Sequence, residues 1–337
     1  MVEFEVLEGP LDSSRLGWVA DLYGAVDPKY RDLAQLEHLF LASPAGPGLH
    51  TFALDGERPV GHCAVVPMTA RRDGVPLLVG KVEAFVVEAP YRGRREGAPP
   101  LAVSLRERLY ALADARGIEL LHAYVRPPVG RILDLTPVRA APRSFVGVVR
   151  PGAVVGRARV PATALAAMQG GMRAIARPLT RSSFSVRSAD SADRDLVQRP
   201  PPPPGTWTVC ADDVWNWCRE APPLRVLATM GPDRGRALVQ LPGGPGDALR
   251  VVGWRSDRPT LRNAVGVAVA AARLAHDHDA ARVVYQPWPG DHGRTLARAC
   301  RMLGFVERED FATLYVRGRD PALAQRVATT PLLALGF

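Results

Sequence analysis

The sequence predicts an α/β (α+β layered) protein of two domains, each a mixed, mainly antiparallel sheet flanked by helices. Three observations predict it. Short β-patterned runs joined by Asp-Gly turns fill residues 50–87. A strand, loop, helix, strand unit follows them, and it recurs in the second half, where residues 284–290 align with residues 121–127. The length of 337 residues also exceeds one ordinary domain and favours two separate cores. The domains are placed at residues 1–155 and 181–337, joined by a helix or linker over 156–180.

Taken in order, the chain opens with a strand over residues 4–7, and apolar positions at helical spacing predict helices over 16–23 and 33–40. Strands over 50–54, 60–68 and 77–87 make an antiparallel meander, with turns at Asp55-Gly56 and Asp73-Gly74. Residues 90–100 form a Gly/Arg/Pro-rich loop. Leu101, Leu105, Leu109 and Leu112 then line one stripe of a helix that closes near Gly117, and residues 120–125 return as a strand. The second half repeats the pattern with a strand over 249–254, a helix over 260–276, a strand over 283–288 and a helix over 293–303 ending at Gly304. Between the halves, residues 160–176 have helical spacing and the proline run 200–204 is a stiff extended spacer.

Apolar residues make up 47% and charged residues 23%, as in ordinary globular proteins. No apolar run reaches the ~18 residues that cross a bilayer, and the first ten residues carry three glutamates in place of a basic, apolar leader. A cytoplasmic protein is expected, without membrane partners. Cys63, Cys210, Cys218 and Cys300 are scattered, so neither a disulfide framework nor a zinc site is expected. The net charge of +9 suggests an anionic partner such as a CoA-like donor, a carrier protein or RNA. Lys29 and Lys81 are the only lysines; with abundant Ala, Gly and Pro, the arginine excess reads as the codon bias of a GC-rich genome rather than as phosphate recognition.

The loop after the long strand reads Val87, Glu88, Ala89, Pro90, Tyr91, Arg92, Gly93, Arg94, Arg95, Glu96, Gly97. A strand that runs through glycines into a helix presents backbone N–H groups and a positive dipole end, which suits a pyrophosphate. Here the chain resembles the GNAT acyltransferases, whose donor loop follows Arg/Gln-x-x-Gly-x-Gly/Ala after a strand ending in Val. Arg92 and Gly97 fit the first and last positions, and Arg95 stands where the central glycine belongs. A side chain there holds the backbone away from phosphates, and Pro99 and Pro100 remove two amide donors from the helix start. The plain alternative is a solvated arginine turn. The resemblance covers roughly residues 50–135 and, more weakly, 225–316. Residues 255–259 contain no glycine, so the second domain resembles a degenerate copy with a structural or acceptor-shaping role.

The resemblance implies two GNAT-like domains and an acyl-CoA donor, acetyl-CoA in the simplest case, with no metal. Tyr91, Arg92, Gly93, Arg94, Arg95 and Gly97 would hold the donor, and the backbone of Phe85, Val86 and Val87 would pair with it and with the oxyanion. A small-molecule amine, bound between the domains, would attack the thioester, which requires a base and hydrogen-bond donors. The family often places a carboxylate base on the strand before the loop, which here is Glu83; the alternative for Glu83 is a salt bridge to Lys81, two residues away on the same face. The family's acid is a tyrosine early in the helix after the next strand. Residues 127–134 hold none, and Tyr124 is the substitute, its alternative being core packing; Glu88 and Asp134 have no better support. A transferase of bacterial secondary metabolism fits this reading. Two rivals remain: an aminoacyl-tRNA-dependent aminoacyltransferase on the same fold, and a non-catalytic double domain. The oligomeric state is not legible.

Other polar and aromatic residues have plainer readings. His276 and His278 suit a helix C-terminus. His62 and His122 are core or cleft-lining residues. Trp207, Trp215 and Trp217 fall near the expected start of the second domain, as core or as a wall of an acceptor pocket.

Overall fold

The computed structural model describes residues 2–8, 11–24, 32–92, 99–139, 144–149, 184–196, 204, 206–209, 211–220, 224–229, 235–242, 247–286, 290–308, 313–318 and 327–328. In chain order the first elements are β1 Val2–Glu8, α1 Ser13–Gly24, α2 Leu33–Leu41, β2 Leu49–Asp55, β3 Arg58–Arg72, β4 Val75–Val87, α3 Leu101–Ala115, β5 Leu120–Val125, α4 Pro127–Ile132 and β6 Thr136–Arg139. There follow β7 Ser144–Val148, β8 Phe184–Ser188, β9 Trp207–Val209, α5 Ala211–Glu220, β10 Leu224–Thr229, β11 Gly235–Gln240 and β12 Ala248–Ser256. The last are α6 Leu261–Asp277, β13 Arg282–Tyr285, α7 Asp291–Met302, β14 Val306–Arg308, β15 Thr313–Gly318 and β16 Val327–Ala328.

The chain divides into two compact units, and both are discontinuous. One comprises Met1–Ala141, Arg199–Ala221 and Phe311–Phe337; the other comprises Pro142–Gln198 and Pro222–Asp310. These differ from the contiguous segments expected from the sequence, and the sheets give the reason. β15 follows β14 in the chain yet lies between β5 and β6 in the first unit's sheet, whereas β7 follows β6 yet lies between β14 and β13 in the second unit's sheet. The expected helix over 160–176 and the linker 156–180 lie outside the described residues.

In the first unit the sheet runs β1-β2-β3-β4-β5-β15-β6, with β9 on the far end of β3 and β16 on β9. Most pairs are antiparallel; β4 with β5 is parallel. Asp73 and Gly74, with φ of 50° and 84°, turn β3 into β4, the positive φ pair that matches the twist of a two-residue hairpin. α3 places Leu101, Leu105, Leu109 and Ala113 on one stripe, and these pack with Val65, Val82 and Leu121 against one sheet face. α1 and α2 cover other parts of the sheet with Val19, Leu36 and Phe40 buried. Asp32 caps α2 by accepting from the Ala34 and Gln35 amides at 3.0 and 3.3 Å.

One correction concerns this unit. Trp207, Trp215 and Trp217 belong to it rather than to the second half, and all three are buried. The ring of Trp217 stacks on His38 at 6.2 Å, with Trp217 Nε1 donating to the His38 carbonyl. Gly80, where β4 meets β5, has no room for a side chain: a Cβ would stand 2.5 Å from Val65 Cγ1 and 2.9 Å from Leu121 Cδ2. Gly80→Ala is therefore expected to lower stability by about 1–3 kcal/mol through overpacking, read as a shift in the urea midpoint at constant m-value.

The second unit's sheet runs β14-β7-β13-β12-β11-β10-β8, with only β12 and β13 parallel among the described pairs. α6 packs Ala264, Val267, Ala271 and Leu274 onto it beside Leu227, Val239 and Leu249, and Leu296 of α7 joins the same core. The strand, helix, strand, helix repeat read from the sequence is thus present as β12, α6, β13 and α7.

Candidate functional site

The site is built on the strand pair that separates. β4 and β5 pair in register only at Val79/Leu120, Gly80/Leu121 and Lys81/His122. β4 continues to Val87, while β5 continues to Val125 with its other edge on β15. Beyond Lys81 and His122 the facing edges of the two strands carry no ladder, so pairing between β4 and β5 ends there.

A bulge interrupts β4 beyond that point. Ala64 pairs with Glu83 and His62 with Val86, leaving Ala84 and Phe85 opposite Cys63. Ala84 has a φ of 56°, a left-handed conformation that costs a non-glycine residue on the order of 1 kcal/mol and recurs at functional sites. After the bulge, the Glu88 amide donates to the Val60 carbonyl at 2.9 Å. That bond makes Gly61/Val87 a non-hydrogen-bonded pair, so the N–H and C=O of Val87 point away from β3 and toward the open edge.

The start of the following loop is held in place by several side chains. Residues Ala89–Tyr91 form a single 3₁₀ turn. Arg58 donates to both Glu88 carboxylate oxygens at 3.3 and 2.9 Å and lies 5.9 Å from the Tyr91 ring centre, and the Tyr91 hydroxyl donates to Asp55. Arg92 turns back, and its Nε donates to the Val87 carbonyl at 2.7 Å. Gly93, Arg94, Arg95 and Gly97 lie outside the described residues. α3 then begins after Pro100, which supplies no capping side chain.

Polar groups gather where the strands part. Lys81 Nζ lies 2.7 Å from Glu83 Oε2, with both side chains nearly fully buried, at 3% and 9% exposure. The sequence offered this ion pair as the alternative to a catalytic role for Glu83, and the geometry contains it. His122, paired with Lys81 across the strands, is fully buried; burial and then the Lys81 charge push its imidazole down to about 3, against a smaller pull from Glu83, so it is neutral. The Trp207 ring lies 6.1 Å from His122. Tyr124 follows His122 by two residues and so shares its sheet face; it is half-buried. Glu88 is engaged by Arg58, and Asp134, exposed just after α4, has a φ of 52°.

On the neighbouring strands, His50 Nδ1 meets His62 Nε2 at 3.1 Å, among the rings of Tyr23, Phe40 and Phe52. Burial pushes His50 down to about 3, and burial together with the His50 neighbour pushes His62 well below its ordinary value. A groove of about 620 Å³ lined by Phe4, Arg15, Trp18, Leu54 and Glu57 lies at the β1 side of this sheet, strands away from the β4–β5 edge.

No known protein family's profile matches the chain. Solved structures do match it along nearly its whole length. A tandem GNAT protein from the clavulanic acid biosynthesis pathway aligns with a TM-score of 0.56 at 16% identity, over 95% of this chain and 99% of that one. N-myristoyltransferase of Saccharomyces cerevisiae, solved with myristoyl-CoA, aligns with a TM-score of 0.59 at 13% identity, over 96% and 83%. A putative acetyltransferase from Pyrococcus horikoshii aligns with a TM-score of 0.53 at 11% identity, over 96% and 92%. The fold is that of tandem GNAT proteins. At such low identities the likeness is one of fold, and the roles of residues rest on this chain's own geometry.

The two GNAT-like units treat the parting strands differently. In the second, β12 and β13 pair through Val251/Tyr285 and β12 runs on to Ser256, but side chains tie the ends together. Trp254 Nε1 donates to the His292 carbonyl at 2.7 Å, and His292 Nε2 meets the Ser256 carbonyl at 3.1 Å. Asn263 Nδ2 donates to Ser256 Oγ at 2.8 Å and to the Arg258 carbonyl at 2.9 Å, and Thr260 caps the Asn263 amide. The start of α6 is thus served by its own side chains, where α3 of the first unit has none at its cap.

Two contacts of this site are not legible in the sequence. The position of His122 opposite Lys81 depends on strand register, which no local pattern carries. The return of Arg92 Nε to the Val87 carbonyl is the other, since a loop motif carries no information on where its first side chain folds back. By contrast, Glu83 and Tyr124 were named from their strands, and the structure puts them on the two strands that part.

Proposed function

We propose that the protein is an N-acyltransferase whose first unit takes an acyl group from acyl-CoA and passes it to an amine of a small molecule. The observation that carries this reading is the end of β4–β5 pairing after Lys81 and His122, with Val87 turning its peptide groups to the edge beyond it. A pantetheine arm bears amides that match such an edge, and the loop and the start of α3 follow where its phosphates would lie. In this reading Tyr91, Arg92, Gly93, Arg94, Arg95 and Gly97 form the donor loop, and Phe85, Val86 and Val87 supply backbone partners. The amine nitrogen attacks the thioester carbonyl, and the C–S bond breaks. Glu83 receives the amine's proton, directly or through water, and the Tyr124 hydroxyl protonates the departing thiolate. The second unit, with its strand end tied to α6 and α7, takes a structural or acceptor-shaping role. Acetyl-CoA is the simplest donor.

Calorimetry with CoA tests the assignment. Gly97→Glu is expected to abolish binding, since it puts a bulky negative charge into the loop, while Arg255→Glu with Arg258→Glu leaves binding unchanged. Binding that survives the first change and is lost with the second would move the donor site to the other unit.

The net charge of +9 favours one second reading, an aminoacyl group delivered by tRNA. Many phosphate contacts would then make tRNA affinity fall by orders of magnitude between ~50 and ~200 mM salt. Turnover with acyl-CoA that resists ribonuclease would eliminate this reading; turnover that needs aminoacyl-tRNA and ignores CoA would eliminate the first. Binding of neither donor would leave a non-catalytic double domain.

A further inference from the structure

We propose that Arg92 is a positioning residue that sets the donor-facing edge of β4, and that it does not read the donor's phosphates. The inference rests on the acyl-CoA reading given above and assigns one of its residues a different task. By sequence, Arg92 sits at the first position of a phosphate-loop pattern, and a guanidinium there suggests a bidentate phosphate contact. The geometry points elsewhere. Its Nε, the donor nearest the chain, is spent on the Val87 carbonyl at 2.7 Å. That carbonyl belongs to the last residue of β4 and faces the edge where pairing with β5 has ended.

The contact closes a set of restraints on residues 88–92. The Tyr91 amide donates to the Glu88 carbonyl and the Arg92 amide to the Ala89 carbonyl, at 2.9 and 3.3 Å. Glu88 is held by Arg58, and the Tyr91 hydroxyl by Asp55. Arg92 joins this turn to the strand end, so the plane of the Val87 peptide is fixed before a donor arrives. A carbonyl oxygen carries two lone pairs, which leaves one for the N–H of a pantetheine amide. Preforming the edge removes an ordering cost that the donor would otherwise bear on binding.

A donor without phosphates separates the two roles. Dissociation constants for CoA and for S-acetylpantetheine, which has none of CoA's phosphates, are measured by NMR titration on the wild type, Arg92→Met and Arg92→Lys, with melting midpoints alongside. The side chain is exposed, so the midpoints are expected to stay unchanged. Both variants are expected to weaken both ligands by a similar factor, about tenfold, because lysine restores a charge but not an Nε donor at this place. A loss confined to CoA, or full rescue by lysine, would show that Arg92 reads phosphate and would overturn the proposal. If the wild type binds neither ligand, the acyl-CoA reading itself falls, which is a separate result from a phosphate-dependent loss.

Discussion

Glu83→Gln is expected to lower turnover by about 10²- to 10⁴-fold, the usual worth of a general base, with CoA affinity little changed. The assay follows thiol release from acetyl-CoA with an amine that the wild type acetylates. The Lys81–Glu83 pair complicates a single substitution. Both groups are buried, and removing one partner of a buried ion pair typically costs about 3–5 kcal/mol, because the other charge is left without compensation. Loss of activity in Glu83→Gln alone could therefore reflect a damaged fold. The double variant Lys81→Met with Glu83→Gln removes both charges, and replacing a whole buried pair by neutral groups of similar size is often near neutral. Its denaturant midpoint is expected to recover most of the loss while its turnover stays low. Recovery of both would make the pair purely structural, and an undiminished rate at pH 7 in the single variant would have the same meaning.

What the sequence revealed and what it hid divide along local and non-local lines. Asp73 and Gly74 fix the β3–β4 hairpin by their own φ angles, and the leucines of α3 announce its buried stripe, so that part of the fold could be read residue by residue. The proximity of Lys81 and Glu83 likewise follows from the period of two along a strand. Nothing local distinguishes β7 or β15 from any short strand, and their partners lie more than a hundred residues away in the chain, so the discontinuous units were not legible. The same applies to His122, whose place beside Lys81 is set by register between strands joined through a loop and a helix. Arg92 is legible only in part: its motif position suggests a donor-loop residue, and only geometry shows its Nε turned back upon its own strand.

Stability is expected to fall steeply as the pH drops from 6.5 toward 5. Three imidazoles of the first unit are responsible. His50 and His122 are pushed down to about 3, and His62 well below its ordinary value, in each case mainly by burial. In the unfolded chain each titrates near 6.5. Between those values the unfolded state binds protons that the folded state refuses, so the stability present above pH 6.5 is lost as the pH falls. A histidine held near 3 costs about 2 kcal/mol at pH 5, so His50 and His122 alone remove about 4 kcal/mol, a large share of the stability of many domains, and His62 acts in the same direction. Buried carboxylates act in a lower range. Burial pushes Asp193 up, but hydrogen bonds and charge from Arg187, with Arg236, hold it below its ordinary value, so its contribution is lost only below about pH 4. Urea midpoints at pH 7.5 and 5.0 provide the measurement. His50→Leu with His62→Leu removes two of the three groups and should make the drop between those pH values distinctly smaller, whatever it does to stability at pH 7.5. Equal midpoints in the wild type at the two pH values would mean that these rings are protonated in the folded protein, and the buried, neutral state described for His122 and the His50–His62 pair would then be wrong.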